Sequence, residues 1–315
     1  MIEIFYNAGG QAVSSDSIKI LKEIDRKDAL WLDLFTPTGE EKRAVEEFLD
    51  IELQSRAQAE EIESSSRYSE TPEAIYANTN FLTPGPESYN MESVSFMLTG
   101  NAITTIRQVP LRSFTDIQRR ILANRKLYPT GFHILIGILE NRIDLDADMI
   151  ELMSKEIAQY SRRVSLGEDV NEDFLLDINQ LQEITMLVRE NIVDKQRMLS
   201  SILKSEKTPK GVNGKLNILL KDVSSLINHT NFSFERLEYL QNTVLGLINL
   251  EQNKIMKVFT LVSLLLMPPT LVASIYGMNI KLPLLGGNWD MILVGGIMLL
   301  TVLTVVIIFR RRRMM

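Results

Sequence analysis

The sequence predicts an α+β domain followed by a long stalk helix and two C-terminal transmembrane helices. Three observations predict this fold class. Short apolar runs separated by turns fill the chain before Pro110, helical periodicity continues from there onwards, and two long uncharged segments lie near the C-terminus. The 315 residues are 45% hydrophobic and 23% charged, a globular composition that excludes disordered and collagen-like chains.

The N-terminal part predicts a small mixed sheet followed by helices. Strands are expected at residues 1–8, 28–35, 74–82, 92–98 and 102–108. A helix is expected to begin after the turn at 36–39, where Thr38 and Glu41 match a capping box. Apolar spacing of three and four residues then predicts helices at 114–124, 131–165 and 172–204.

The C-terminal part predicts one very long helix and a membrane hairpin. From Leu216 to Tyr276 the pattern is helical, and at 1.5 Å per residue such a helix is roughly 90 Å long. A small domain cannot cover that length, so we expect a stalk that bundles with copies of itself. Val258–Ile280 and Met291–Phe309 hold 23 and 19 uncharged residues, each enough to cross about 30 Å of hydrocarbon.

Basic residues indicate the orientation of this hairpin. Lys254 and Lys257 precede the first span, and Arg310 to Arg313 follow the second. By the positive-inside rule both termini are expected in the cytoplasm, with the loop at 281–290 outside. The N-terminal residues have neither a basic start nor an apolar stretch, so no cleavable signal peptide is expected.

Charge and composition exclude several classes of function. Residues 251–315 carry seven basic and two acidic side chains, a net charge of +5. Because the whole chain has a net charge of −6, residues 1–250 have a net charge of −11. This balance does not suggest a nucleic-acid surface. The absence of cysteine and the presence of only two histidines, His133 and His229, argue against thiolate or histidine metal sites. No nucleophile–base pair and no phosphate-binding loop is present, so no enzyme is predicted.

One face of the long helix carries a continuous line of small, amide, hydroxyl and methionine side chains that runs from the stalk into the first span. Its members, spaced alternately by three and four residues, are Asn242, Gly246, Asn249, Asn253, Met256, Thr260, Ser263, Met267, Thr270 and Ser274. We call this line the polar stripe. Two interpretations stay open on the stripe alone: a helix–helix interface, or a pore lined by identical helices. No charge lies on it within the bilayer, which argues against a proton relay.

The end of the span decides between them. Tyr276-Gly277-Met278-Asn279 follows Met267-Pro268, and residues 253–279 as a whole resemble the CorA family of divalent-cation channels. The two-span hairpin and the basic tail are similar to the family too. Trp31-Leu32-Asp33-Leu34, with Pro37 and Glu40-Glu41, resembles its opening motif more weakly.

The resemblance implies a membrane homopentamer whose first span lines a pore for Mg²⁺, with Co²⁺ or Ni²⁺ as further ions, and whose second span faces lipid. Gly277, Met278 and Asn279 are then the selectivity filter, and Asn279 and Asn253 bind the ion through its hydration shell. Met256 and Met267 are candidate hydrophobic constrictions, with plain packing as the alternative. The pore is passive, because a membrane potential supplies about 2.3 kcal/mol per charge per 100 mV.

The resemblance also implies that cytosolic Mg²⁺ closes the pore by binding between the acidic domains. Asp222 is the first candidate for that regulatory site and Glu235 the second, although solvated surface carboxylates are the more common case. Such a protein belongs in a bacterial inner membrane.

The predicted partition is a regulatory domain at 1–215, a stalk at 216–257, spans at 258–280 and 291–309, an external loop at 281–290 and a basic tail at 310–315. One departure concerns the loop, where the family commonly carries a glutamate shortly after the Gly-Met-Asn motif. This chain has Lys281 and no glutamate there.

Two alternatives to a Mg²⁺ channel remain. One is a zinc transporter of the related ZntB type, which usually carries Gly-Ile-Asn, and the other is a non-conducting membrane scaffold or sensor.

Overall fold

The computed structural model describes residues 1–55, 58, 67–85, 88–167, 171–278 and 290–311. It divides into two units, residues 1–241 and 242–315. The strands are β1 (Ile2–Ala8), β2 (Gln11–Ser15), β3 (Ala29–Phe35), β4 (Tyr68–Glu70), β5 (Ala74–Pro84), β6 (Tyr89–Thr99) and β7 (Ala102–Arg107). They form one sheet in the order β2-β1-β3-β7-β6-β5-β4, in which β3 and β7 run parallel and all other neighbours are antiparallel.

The helices are α1 (Gly39–Leu49), α2 (Arg112–Ala123), α3 (Gly131–Leu166), α4 (Glu172–Lys204), α5 (Asn213–Tyr276) and α6 (Asp290–Arg311). Three short 3₁₀ turns lie at Ile18–Lys22, Arg125–Leu127 and Lys210–Val212. The long helix is therefore confirmed as one element of 64 residues that continues through Pro268 and Pro269.

The mixed sheet is confirmed, and the structure adds two strands that the sequence analysis did not predict. β2 pairs with β1 across Gly9 and Gly10, whose positive φ angles of +59° and +93° match a tight hairpin turn. β4 has only three residues and pairs with the edge of β5. The Gly-Gly pair was a readable hairpin signal for β2, whereas a three-residue strand leaves no periodicity to read.

The predicted ends of two helices, α1 and α6, can be compared with the structure. The capping box of α1 is confirmed, because the Thr38 hydroxyl accepts from the Glu41 amide and the Glu41 carboxylate accepts from the Thr38 amide. α6 begins at Asp290, one residue before the uncharged segment 291–309. That helix also continues to Arg311, two residues beyond the predicted end of the second span. A terminal helical turn tolerates charges, so the uncharged segment underestimates the helix.

A buried ion pair and an aromatic cluster join the central strands to α2. Trp31 stacks on Phe5 with ring centroids 5.2 Å apart and lies 5.7 Å from Phe114. Its indole donates to the Thr105 hydroxyl, which donates in turn to the Asp33 carboxylate, itself only 2% exposed. Arg107 completes the cluster with a 2.8 Å ion pair to Asp33. The Trp-Leu-Asp-Leu segment thus has a structural reason for its residue types, namely a satisfied buried network.

Gly131, at the start of α3, makes a contact that no other residue type would permit. A Cβ built there would lie 2.6 Å from the carbonyl carbon of Ala102 and 2.7 Å from the Ile103 amide nitrogen. Gly131→Ala should therefore destabilise the first unit by about 2 kcal/mol or more, because the clash is with backbone that cannot rotate away. Chemical denaturation measures this, with Gly39→Ala as the control, since open space surrounds Gly39. Equal stability of the two variants would contradict the expectation.

Candidate functional site

The structure places the whole polar stripe on the single helix α5, within the second unit. The stripe comprises Asn242, Gly246, Asn249, Asn253, Met256, Thr260, Ser263, Met267, Thr270 and Ser274. Nine of the ten are exposed in the single chain, and Ser263 is half-buried. The two membrane-depth methionines, Met256 and Met267, are 60% and 65% exposed.

The half-buried residues of α5 between positions 261 and 272 lie mostly on a different face. Leu261, Leu264, Leu265 and Val272 are half-buried and follow each other at helical spacing. At 3.6 residues per turn, the centre of this set lies roughly 130° around the helix from the centre of the stripe. The stripe residues other than Ser263 are exposed in the single chain, so the stripe is free to face an aqueous path or copies of the same helix.

The threonine hydroxyls of the stripe have their protons committed to their own helix. Thr260 donates to the Met256 carbonyl at 2.7 Å, and Thr270 donates to the Leu266 carbonyl at 2.7 Å. A hydroxyl has one donor and two acceptor lone pairs, so these oxygens remain available as acceptors. Thr301 and Thr304 of α6 make the same kind of bond. α5 therefore differs from α6 in the length of its polar stripe and not in the bonding of any single hydroxyl.

The end of α5 presents backbone carbonyls. Gly277 continues the helical pattern by donating to the Ala273 carbonyl at 2.9 Å, and Met278 tightens the end by donating to Ile275 at 3.3 Å. A Cβ on Gly277 would lie 3.0 Å from the Ala273 oxygen, which explains a glycine here. The last carbonyls of a helix lack intrahelical partners and carry roughly half a negative charge. This end of α5 therefore favours a cation. Asn279 lies outside the described residues.

Two adjacent prolines free further carbonyls in the same segment. Pro268 and Pro269 have no amide hydrogen, so the carbonyls of Leu264 and Leu265 lose their usual helical donors. Because α5 is continuous through both prolines, these carbonyls stay in helical positions. A proline inside a helix commonly bends it, so we expect a kink at this point of α5.

The regulatory candidates lie in the first unit. Asp222 and Glu235 are both on α5 and both exposed. Among the residues that the structure describes, no group of three or more histidine, aspartate or glutamate side chains is placed to hold a metal ion.

Two described helices are long and apolar enough to cross a membrane. One is the helical stretch that ends at Tyr276, and the other covers Ile292–Arg311. Their most apolar windows are not buried inside the structure at all. A mixed α/β unit, a 64-residue helix whose C-terminal part is apolar and a second apolar helix fit the class of two-span membrane proteins with a large N-terminal domain.

Comparison with known proteins places the chain within this class. The family model described as "CorA-like Mg2+ transporter protein" matches residues 26–311. The chain belongs to this family.

Relatives and solved structures agree with the family assignment. The chain is 32% identical to a "Magnesium transport protein CorA" of Wolinella succinogenes, over 99% of both chains. The CorA magnesium transporter structure from Methanocaldococcus jannaschii shares the fold with a TM-score of 0.79 at 21% identity, covering 99% of this chain and 98% of that one. The ZntB cytoplasmic domain from Vibrio parahaemolyticus aligns with a TM-score of 0.58 at 15% identity, covering 79% of this chain and 98% of that one.

Proposed function

We propose that the chain forms a homopentameric channel in a bacterial inner membrane, through which Mg²⁺ enters the cytoplasm passively. The regulatory domain and stalk would lie inside the cell, and α5 would line the pore while α6 faces lipid. The observation that carries the proposal is the exposed polar stripe of α5, whose threonine hydroxyls keep their acceptor lone pairs free. Membership of the CorA-like family supports Mg²⁺ as the substrate.

Acceptor groups suit this ion in its hydrated form. Mg²⁺ gives up its water reluctantly, and the water hydrogens of a hydrated cation point outwards. A ring of hydroxyl, amide and carbonyl oxygens accepts those hydrogens without stripping the ion. The stripe holds no charge between Val258 and Tyr276, so it neither traps nor repels the ion strongly. A membrane potential contributes about 2.3 kcal/mol per charge per 100 mV, which makes passive uptake of a divalent ion favourable.

Capture is assigned to the outer end of α5. Five helix ends would direct their partial negative charge at one point, next to Gly277. Asn279, with Met278 before it, would complete the filter, and Asn253 would repeat an amide ring at the cytoplasmic side. Met256 and Met267 are exposed on the same stripe and would form apolar constrictions that close by losing water.

Regulation by the transported ion completes the proposal. Residues 1–250 carry a net charge of −11, so five such domains repel each other. Mg²⁺ shared between copies at Asp222, with Glu235 as second candidate, would offset the repulsion and close the pore. Passage of Co²⁺ or Ni²⁺ is part of the same proposal, because acceptor oxygens do not discriminate strongly among hydrated divalent ions.

Zinc transport is the second candidate function. The ZntB cytoplasmic domain shares the fold of this chain, which is the observation in its favour. Methionine at position 278, where that branch usually has isoleucine, favours Mg²⁺.

Uptake into proteoliposomes tests the proposal. Purified full-length protein is reconstituted with a Mg²⁺-sensitive dye, an inside-negative potential is imposed, and Asn279→Ala is compared with Asn90→Ala, a change at an exposed strand position. We expect potential-dependent uptake in the wild type and in Asn90→Ala, and none in Asn279→Ala. Entry of Zn²⁺ without Mg²⁺ would show the second candidate to be right, and no divalent flux at all would contradict both.

Lys281 gives a separate prediction about ion capture. Five ammonium groups beside the outer mouth would repel divalent cations, so Lys281→Glu should raise the initial rate of uptake at low external Mg²⁺. Lys281 lies outside the described residues, and the prediction rests on its sequence position. The control is Lys215→Glu, the same charge change at an exposed position in the first unit. An unchanged or slower rate in Lys281→Glu would remove any role for this charge.

A further inference from the structure

A group of three charged side chains is buried where α3 and α4 pack beside β5. Arg142 and Asp146 lie one turn apart on α3, and Lys195 reaches them from α4. Their exposed fractions are 5%, 1% and 0%. Charged residues are almost never this buried unless they are paired, so the group needs an explanation. We call these three residues the shared-carboxylate cluster.

The pairing within the cluster is unequal. Arg142 holds Oδ1 of Asp146 by two hydrogen bonds, one of them from Nε at 2.9 Å. Lys195 Nζ lies 3.2 Å from Oδ2 of the same carboxylate, yet Oδ2 accepts no hydrogen bond. Lys195 instead donates to the side-chain oxygen of Asn191. Asp146 is therefore hydrogen-bonded to Arg142 and ion-paired with Lys195, so one carboxylate is shared by two cations.

Among the residues that the structure describes, the surroundings of Lys195 supply one further carboxylate but no second direct partner for its charge. Asp194 on α4 is the other carboxylate that acts on Lys195, and it already pairs with Arg67 at 3.1 Å and with Arg197 at 3.6 Å. From β5 come the Leu82 carbonyl, which accepts from Arg142, the Asn80 carbonyl, which accepts from Asn191, and the Phe81 ring. The shared-carboxylate cluster thus carries one positive charge in excess when Lys195 is protonated.

Burial weakens the hold of Lys195 on its proton. Burial lowers the pKa of the ammonium from 10.5 to about 8, and the nearby Arg142 contributes to the lowering, while Asp146 and Asp194 oppose the shift. Loss of that proton leaves a neutral amine and one matched Arg142–Asp146 pair.

We propose that the shared-carboxylate cluster is a proton-sensitive joint: release of the Lys195 proton holds α3 and α4 tightly on β5, and uptake of the proton loosens them. The physical reason is the cost of an unmatched charge in a site closed to solvent, which is relieved when α4 opens locally and Lys195 reaches water. Every residue of the joint lies in the first unit.

The sign of the pH effect follows from linkage. In the open state Lys195 has its ordinary pKa, and in the closed state a lower one, so between about pH 8 and 10.5 the open state binds the extra proton. Closing therefore becomes more favourable as the pH rises through this window, by up to about tenfold per pH unit. Below the window both states are protonated and the joint stays at its loosest.

Hydrogen exchange of the full-length protein in detergent tests the joint. Protection of the α4 amides is measured at pH 7 and pH 9 and corrected for the intrinsic exchange rate. We expect protection in the wild type to rise several-fold between the two values. Lys195→Met should show high protection at both, because Asp146 keeps its Arg142 partner and the excess charge is gone. Lys155→Met, which removes an exposed lysine of α3, is the control and should follow the wild type.

Two results would overturn the proposal. One is a wild type whose α4 protection does not change between pH 7 and pH 9. The other is an equal rise in the wild type and in Lys195→Met. Lys195→Arg provides a second variant in case Lys195→Met does not fold. Its charge is permanent, so protection of the α4 amides should stay low at both pH values.

Discussion

A cationic thiol reagent attached at position 270 should stop Mg²⁺ uptake, and the same reagent attached at position 271 should not. The natural chain has no cysteine, so Thr270→Cys and Leu271→Cys each carry a single reactive site. Thr270 belongs to the polar stripe, and Leu271 lies about 100° from it around the same helix. Both positions are exposed in the single chain, Leu271 by 62%, so access in the monomer cannot separate them.

Labelling at the two positions should affect Mg²⁺ uptake differently only if the stripe lines a pore. Five fixed positive charges around a narrow water path would raise a large electrostatic barrier to a divalent cation. On a lipid-facing side few reagent molecules would be attached, because a thiol in hydrocarbon is rarely ionised and reacts slowly. The measurement is dye-reported uptake before and after labelling, with the unmodified cysteine-free protein as control. Block at 271 with free flow at 270 would place the path on another face of α5.

The stripe and the two apolar helices could be predicted from the sequence because they depend only on neighbouring residues. A charge-free run of 23 residues and a three–four spacing of polar groups are properties of consecutive residues, and a helix converts them directly into an apolar segment and a polar face. The same holds for α4, whose bounds match the predicted 172–204. The predicted roles of the stripe residues are not tested by the fold, because they depend on how copies of α5 surround an axis.

The buried ionic groups could not be read from sequence because their partners are distant. Asp33 pairs with Arg107 across 74 residues, and Asp146 meets Lys195 only after two long helices have packed. Before folding, each of these residues resembles an ordinary surface charge on a helix or strand. Arg142 and Asp146 are four residues apart, a spacing that also suits an exposed pair such as Glu151 and Lys155. Burial, not spacing, separates the two cases.

That difference in burial leads to a large predicted loss of stability. Asp146→Asn removes the one carboxylate from between Arg142 and Lys195, and leaves two cations in a site that is almost closed to water. Breaking a buried ionic group by removing one partner typically costs about 3–5 kcal/mol, because the remaining charge is neither solvated nor paired. An amide oxygen at position 146 could still accept from Arg142, but it would carry no charge to oppose either cation.

Chemical denaturation of the full chain, followed by the fluorescence of buried Trp31, measures the effect on the first unit. Glu151→Gln is the matched control, because it removes a carboxylate from an i, i+4 pair on the same helix that stays in water, and it should leave the midpoint unchanged. Lys195→Met in the Asp146→Asn background should recover part of the loss, since only one unmatched cation then remains. If Asp146→Asn left the denaturation midpoint as unchanged as Glu151→Gln does, the prediction would be contradicted. Water would then have to reach this site, and the unmatched charge would carry no large cost.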